Sequence, residues 1–209
     1  MKKLFKVLGL LTIAAALFVG CNEPKDPTAN PSTPPSTGTA ASTSFDDCTT
    51  TIAAATDITL SAGTLTVKQV MTTKGESDTY DIKASVNNSG EYTFTSGTRT
   101  FPPLDATYAP DDFKALTTDE EKKTFIIEFY ELTENATFVF NGTIITVTDT
   151  LSDDELASKN AELKFAELPG DTVIKTNSTK SKYVISYTTT EENKGKTISI
   201  SNIIYLSKD

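Results

Sequence analysis

Thr137-Phe138-Val139-Phe140-Asn141-Gly142-Thr143-Ile144-Ile145-Thr146-Val147-Thr148 decides the class of fold. Two runs of β-branched and aromatic residues flank Asn141-Gly142, and Asn-Gly between such runs is the strongest short-range hairpin signal. The spacing predicts a strand over 137–140, a type I′ turn at Asn141-Gly142 and a return strand over 143–148. The same grammar recurs on both sides. Thr64-Leu65-Thr66-Val67-Lys68-Gln69-Val70 and Tyr80-Asp81-Ile82-Lys83-Ala84-Ser85-Val86 alternate at period two, which buries one face of a strand. Asn87-Asn88-Ser89-Gly90 is turn chemistry, and Glu91-Tyr92-Thr93-Phe94-Thr95 resumes the alternation. Towards the C-terminus, Lys182 to Tyr187 and Thr197 to Leu206 form a third hairpin through Glu191-Glu192-Asn193-Lys194-Gly195. Further strands are expected near 125–131, 161–168 and 172–176.

Helical signals are short. Pro110-Asp111-Asp112-Phe113-Lys114-Ala115-Leu116 suits a single turn. Thr118-x-x-Glu121 is a capping box for a helix ending near Lys123, and Ser152-x-x-Glu155 is another, with Leu156 as its core contact. None is long enough to organise a domain. The expected fold is therefore all-β: about nine or ten short strands in an antiparallel meander with one to three short helices. An up-and-down barrel is the leading architecture, and a two-sheet β-sandwich the alternative. The strands are short and lack aromatic girdles, which argues against a transmembrane barrel.

Composition limits the chemistry. The chain of 209 residues carries a formal charge of −9 and contains neither His nor Trp. Without imidazole there is no Ser-His-Asp triad, Cys-His dyad or His-ligated zinc site. Carboxylate and Lys chemistry remain, but no spacing points to paired catalytic carboxylates, a phosphate loop, a nucleophile elbow or a dinucleotide fingerprint. No catalytic residue, metal site or cofactor is expected, and the chain is read as a non-enzyme. An acidic chain repels phosphate backbones and anionic headgroups alike, so neither nucleic acid nor charge-driven membrane binding is expected.

The N-terminus reads MKKLFKVLGLLTIAAALFVGC. Lys2, Lys3 and Lys6 precede an apolar stretch, Leu8 to Val19, that is too short to span a bilayer. A positive start, a short apolar core and small residues at its end describe a secretory signal. Phe18-Val19-Gly20-Cys21 resembles the lipobox of bacterial lipoproteins, with Phe18 where Leu is usual, and spirochaete lipoboxes are similarly loose. The resemblance implies cleavage between Gly20 and Cys21 and lipidation of the Cys21 thiol. Two or three acyl chains at ~0.8 kcal/mol per buried methylene anchor stably where one does not. Cleavage would remove the three lysines and take the charge from −9 to −12.

Residues 22–44 hold Pro24, Pro27, Pro31, Pro34 and Pro35 among Ser, Thr, Ala, Asn and Gly, with no apolar side chain larger than Ala. Such a segment cannot form a core. At ~3.1 Å per residue it reaches at most about 70 Å. The expected organisation is thus a signal peptide at 1–20, a lipidated N-terminus and Pro/Ser/Thr tether at 21–50, and a β-rich domain at 51–209. The expected address is the cell envelope, with the outer membrane or cell surface ahead of the inner membrane.

The stretches at 79–96 and 136–148, with their Gly/Asn turns and Tyr-Thr-Phe and Phe-Val-Phe strands, resemble those of lipocalin-like bacterial lipoproteins. That resemblance implies an interior cavity for a small apolar ligand. The reading is a lipid-anchored, non-catalytic binding module. A structural or adhesive surface protein acting through protein contact is its alternative. Aromatic residues such as Tyr80, Tyr92 and Phe94 read as core, or else as the lining of an apolar cup. Arg99, the lone arginine, reads as the partner of a surface acid, or else as a grip for a carboxylate or phosphate. Asp111-Asp112, Asp119-Glu120-Glu121 and Asp153-Asp154-Glu155 fall where helix first turns favour negative charge. They match no calcium loop. Cys48 reads as buried filler, a free thiol or half of an intermolecular disulfide.

Overall fold

The computed structural model describes residues 44–193 and 195–208. The expected signal, Gly20, Cys21 and nearly all of the tether lie outside the described residues. Ten strands form one antiparallel sheet: β1 (Thr50–Ile52), β2 (Gly63–Thr73), β3 (Glu76–Val86), β4 (Tyr92–Thr100), β5 (Leu104–Asp105), β6 (Thr137–Asn141), β7 (Ile144–Thr150), β8 (Val173–Thr176), β9 (Lys182–Asn193) and β10 (Lys196–Lys208). Three α-helices accompany them: α1 (Asp111–Lys114), α2 (Asp119–Tyr130) and α3 (Asp153–Glu162). The all-β expectation with short helices is met.

Two meanders, β2-β3-β4 and β8-β9-β10, are joined where the last strand pairs with the first long one, from Lys208↔Leu65 to Ile200↔Thr73. β7 takes β4 and β5 along one side and β6 along the other, because Thr148 pairs with both Thr100 and Thr137. Among the described residues, β1 and β6 each have a neighbour on one side only, and the sheet is not closed into a barrel. Nor is it divided into the two sheets of a sandwich. The β7-to-β8 connection supplies a physical reason: Leu156 of α3 and then Leu163 and Phe165 join the same core cluster as Leu65, Ile82 and Ile185. Chain covers the face that a barrel would have closed around.

The alternation that made the strands legible survives in the packing. In β3, Tyr80, Ile82, Ala84 and Val86 are buried while Asp81, Lys83 and Ser85 are exposed. One correction to phase comes at β4. Phe94 opposite Ala84 and Arg99 opposite Tyr80 are an odd number of residues apart, so a regular strand would send them to opposite faces. A β-bulge resolves this: Lys83 pairs with Ser96 and Ala84 with Phe94, leaving Thr95 unpaired. The Thr95 hydroxyl donates to the Lys83 carbonyl at 3.2 Å. The extra residue turns both Phe94 and Arg99 to the covered face. Gly97 is needed at the crossing just beyond the bulge, where a Cβ would lie 3.0 Å from both the Asp81 carbonyl oxygen and Leu151 Cδ1.

Two expected strands are helical instead. Residues 125–131 fall mostly in α2, which runs on to Tyr130 rather than ending near Lys123. Thr118 and Glu121 complete a reciprocal capping box, and the helix buries Ile126 and Tyr130 four residues apart. Phe125 and Phe129 stack with centroids 5.9 Å apart on a neighbouring stripe. Capping and an i,i+4 apolar stripe thus override the β propensity of Phe-Ile-Ile-Glu-Phe-Tyr. Residues 161–168 form the end of α3 and a 3₁₀ turn, Phe165–Glu167. Ser152 and Glu155 cap α3, and Leu156, Lys159 and Leu163 all point inward.

The β6–β7 turn is also corrected. Asn141 pairs with Ile144, so the central residues are Gly142 and Thr143, and of the two only Gly142 has a positive φ, 62°. That is the type II′ pattern, not I′. The I′ pattern appears instead between β2 and β3, where Lys74 and Gly75 both have positive φ. Packing begins ahead of the expected boundary at residue 51: the Phe45 ring lies 5.1 Å from that of Tyr205, and Cys48 is buried.

The apolar interior has two parts. The larger lies beneath β2–β4 and β8–β10. The smaller joins Leu104, Phe113, Ile126, Tyr130, Ile145 and Val147, where α1 and α2 pack on β5–β7.

Candidate functional site

The chemistry-bearing side chains collect in a polar seam on the covered face. Register lines up Gln69, Tyr80, Arg99 and Asp149 across β2, β3, β4 and β7, with Asp78 one inward position away on β3. α3 lowers Lys159 onto this row. Its ammonium lies 3.3 Å from Gln69 Oε1, 3.1 Å from Glu162 Oε2 and 4.0 Å from the centre of the Tyr80 ring. Gln69 Nε2 donates to Asn202 Oδ1 at 3.3 Å, carrying the network into β10.

Arg99 is gripped by a buried acid, not the expected surface one. Its Nε donates to both Asp78 oxygens at 3.1 Å, and one terminal nitrogen to Asp78 Oδ2 at 2.6 Å. The two side chains are 17% and 8% exposed. The guanidinium also sits 4.2 Å from the centre of the Phe101 ring, a cation–π contact. Burial alone would lower the Arg99 pKa, but the adjacent charge and hydrogen bonds of Asp78 raise it above its ordinary value. A guanidinium so occupied holds its charge and has its fork committed to Asp78. The second inward acid, Asp149, accepts from the Thr133 hydroxyl and, at 3.0 Å, from the Thr133 backbone N–H. Both buried carboxylates are thus tied to partners within the chain.

The other sequence candidates are placed as follows. Glu121 and Glu155 accept from the N-cap residues Thr118 and Ser152, and the acids at 119–121 and 153–155 fill helix first turns. Hydrogen bonds from Thr118 and Thr117 hold the Glu121 carboxyl below its ordinary range. Asp111 and Asp112 begin α1. Cys48 is buried and free, its thiol pKa raised by burial and then by Asp47. Tyr92 and Phe94 lie against the larger core and Tyr80 is 3% exposed. A small, partly open hollow where Thr59–Ser61 and Lys180–Ser181 meet Leu65, Val86 and Tyr183 measures about 10 Å³, the scale of one water. A second hollow of about 410 Å³, between Lys83, Thr98 and Leu156, is open to solvent.

The seam residues Gln69, Asp78, Lys159 and Asn202 were not singled out from sequence. The signal was there for three: Gln69 follows Leu65 and Val67 in phase, Asp78 precedes Tyr80 and Ile82, and Asn202 lies between Ile200 and Ile204. Polar residues on the apolar phase of a strand mark a buried network.

Two buried tyrosines, Tyr80 in the seam and Tyr130 in the smaller cluster, set a response to alkali. Burial raises the Tyr80 hydroxyl pKa, with smaller opposing and reinforcing charge effects, and burial followed by Glu76 raises that of Tyr130, both from an ordinary value of 10. Below pH 10 folded and unfolded chains both keep these protons, so the contribution is fully present. Above it the unfolded chain loses them first, and stability falls by about 1.4 kcal/mol per pH unit for each such group until the folded value is reached. Urea unfolding from pH 8 to 12 is expected to give a flat midpoint to about 9, a shallow fall from there as the raised Cys48 thiol contributes, and a steep fall beyond about 10.

Scans against family models, curated proteins and solved structures found no match to this chain.

Proposed function

We propose that the chain is a lipid-anchored, non-catalytic protein of the cell envelope that works through contacts of its outer surface with other proteins. The filled interior carries the choice of surface contact over ligand carriage. Val67, Ile185 and Ile204 are fully buried, and α3 with the segment after it packs over them. Side chains from β2–β4, β8–β10 and α3 pack together where a small apolar ligand would need a few hundred Å³. We read the topology as a lipocalin-like up-and-down meander left open, supported by the sequential β2-β3-β4 and β8-β9-β10 order and by β10 returning to β2.

The anchor rests on Gly20-Cys21 and the apolar stretch before it. Among the described residues no helix is long and apolar enough to cross a membrane. Cells fed labelled palmitate are expected to label the native chain, and Cys21→Ser is expected to abolish both label and sedimentation with membranes. Label and sedimentation unchanged in Cys21→Ser would refute the anchor.

A further inference from the structure

We infer that β6 is a pairing edge for a second copy of this chain, joined antiparallel about a twofold axis at Val139. Among the described residues β6 pairs only with β7, in continuous register from Thr137↔Thr148 to Asn141↔Ile144. An edge strand presents unpaired N–H and C=O groups, and proteins ordinarily blunt such edges with charge, proline or a bulge. This one has none of the three. Residues 135–148 contain no Asp, Glu, Lys, Arg or Pro, in a chain that is 22% charged. Val139, at the middle of the strand, is 64% exposed.

Charge and register select a like chain as the occupant. Two copies, at −9 each or −12 each once the signal is cleaved, repel each other over most of their surface, and the uncharged edge lets their backbones meet without facing like charges. Thr-Phe-Val-Phe-Asn is also nearly symmetric about its centre. An axis at Val139 sets Phe138 of one copy opposite Phe140 of the other, and residue 137 opposite 141. Phe138 and Phe140 pack against the smaller core cluster in each copy, so the pairing would continue that apolar face across the axis. Aromatic cross-strand pairs are favourable.

Two five-residue strands bury well under the ~1,200 Å² of a stable interface. The pairing is therefore weak in dilute solution. Tethering to one membrane raises the effective concentration towards about millimolar; on that point the inference rests on the anchor proposed above.

Cysteine trapping in the full chain, held in detergent micelles at about 0.5 mM and mildly oxidised, tests the pairing and its register. The unsubstituted chain serves as background for Cys21 and Cys48, so the result reads β6 whether or not Cys21 carries lipid. Val139→Cys is expected to give at least about tenfold more covalent dimer than this parent, since directly opposed Cβ atoms lie ~5 Å apart. Thr137→Cys and Asn141→Cys are each expected to match the parent alone and to cross-link when mixed. Dimer from Val139→Cys at the parent level, or equal dimer from all three single variants, would overturn the inference. Val139→Lys gives a readout without a thiol. The native chain is expected to rise in sedimentation mass with concentration and Val139→Lys to remove that rise, and the same behaviour in both would count against the β6 edge.

Discussion

Replacing Arg99 with Met is expected to destabilise the protein by about 3–5 kcal/mol, the range for removing one partner of a buried ion pair. The loss has little to do with the volume of the side chain, which Met approximates. Asp78 is 8% exposed at its side chain and takes three hydrogen bonds from Arg99. Without them a carboxylate stays buried and unpaired, and it must either remain charged at high cost or take up a proton. The double variant Arg99→Met with Asp78→Leu is expected to recover most of the loss, because an apolar pair of similar size avoids burying charge altogether. Urea unfolding of the two single variants, the double variant and the parent closes the cycle. A single variant within about 1 kcal/mol of the parent would mean that solvent reaches Asp78 more freely than its packing implies.

Phe113→Ala is expected to cost about 3–5 kcal/mol, as for other buried Phe truncations. Phe113 is 1% exposed and meets the Phe125 ring edge-on at 5.3 Å. It belongs to the smaller of the two clusters, which is built from α1, α2 and β5–β7. The loss should therefore be local before it is global. Amide hydrogen exchange is expected to quicken across α2, β6 and β7 while β9, β10 and β2 keep most of their protection. Uniform loss of protection would show instead that the two clusters open together.

The sheet was legible wherever one side of a strand is apolar and the other wet, as in β3 and β10. It was less legible where the pattern is interrupted on purpose. Nothing local announces that Thr95 bulges; the clue lies in the odd spacing of Phe94 and Arg99, which means something only once both are known to face inward. The Lys74-Gly75 turn carries a weaker signal than Asn-Gly, since Lys is not a usual left-handed residue, yet both positions have positive φ. The segment at 125–131 reads as a strand because Phe, Ile and Tyr favour strands. A capping box ahead of it and contacts four residues apart made it a helix. The lone Arg99 was noticed, but its partner was placed at the surface. Asp78 stands 21 residues earlier and becomes its neighbour only through the β3–β4 pairing. Lys159 was hidden for the same reason, since its contacts on β2 are made 90 residues away.

Barrel closure, too, was a matter of what fills the middle. Short strands and tight turns specify a meander, and they say little about whether the ends meet. Here Leu156, Leu163 and Phe165 enter the core from the β7-to-β8 connection. A cup for an apolar ligand and a core stoppered by chain can share the same strand pattern.

Native mass spectrometry of the full chain, purified in a gentle detergent, tests the filled interior most directly. Any acyl mass at Cys21 is covalent and survives denaturation, so it can be subtracted. The expected result is a folded chain with no further non-covalent adduct, even after incubation with a mixture of fatty acids and phospholipids. A stoichiometric apolar ligand that leaves only on unfolding would contradict the account and restore the carrier reading.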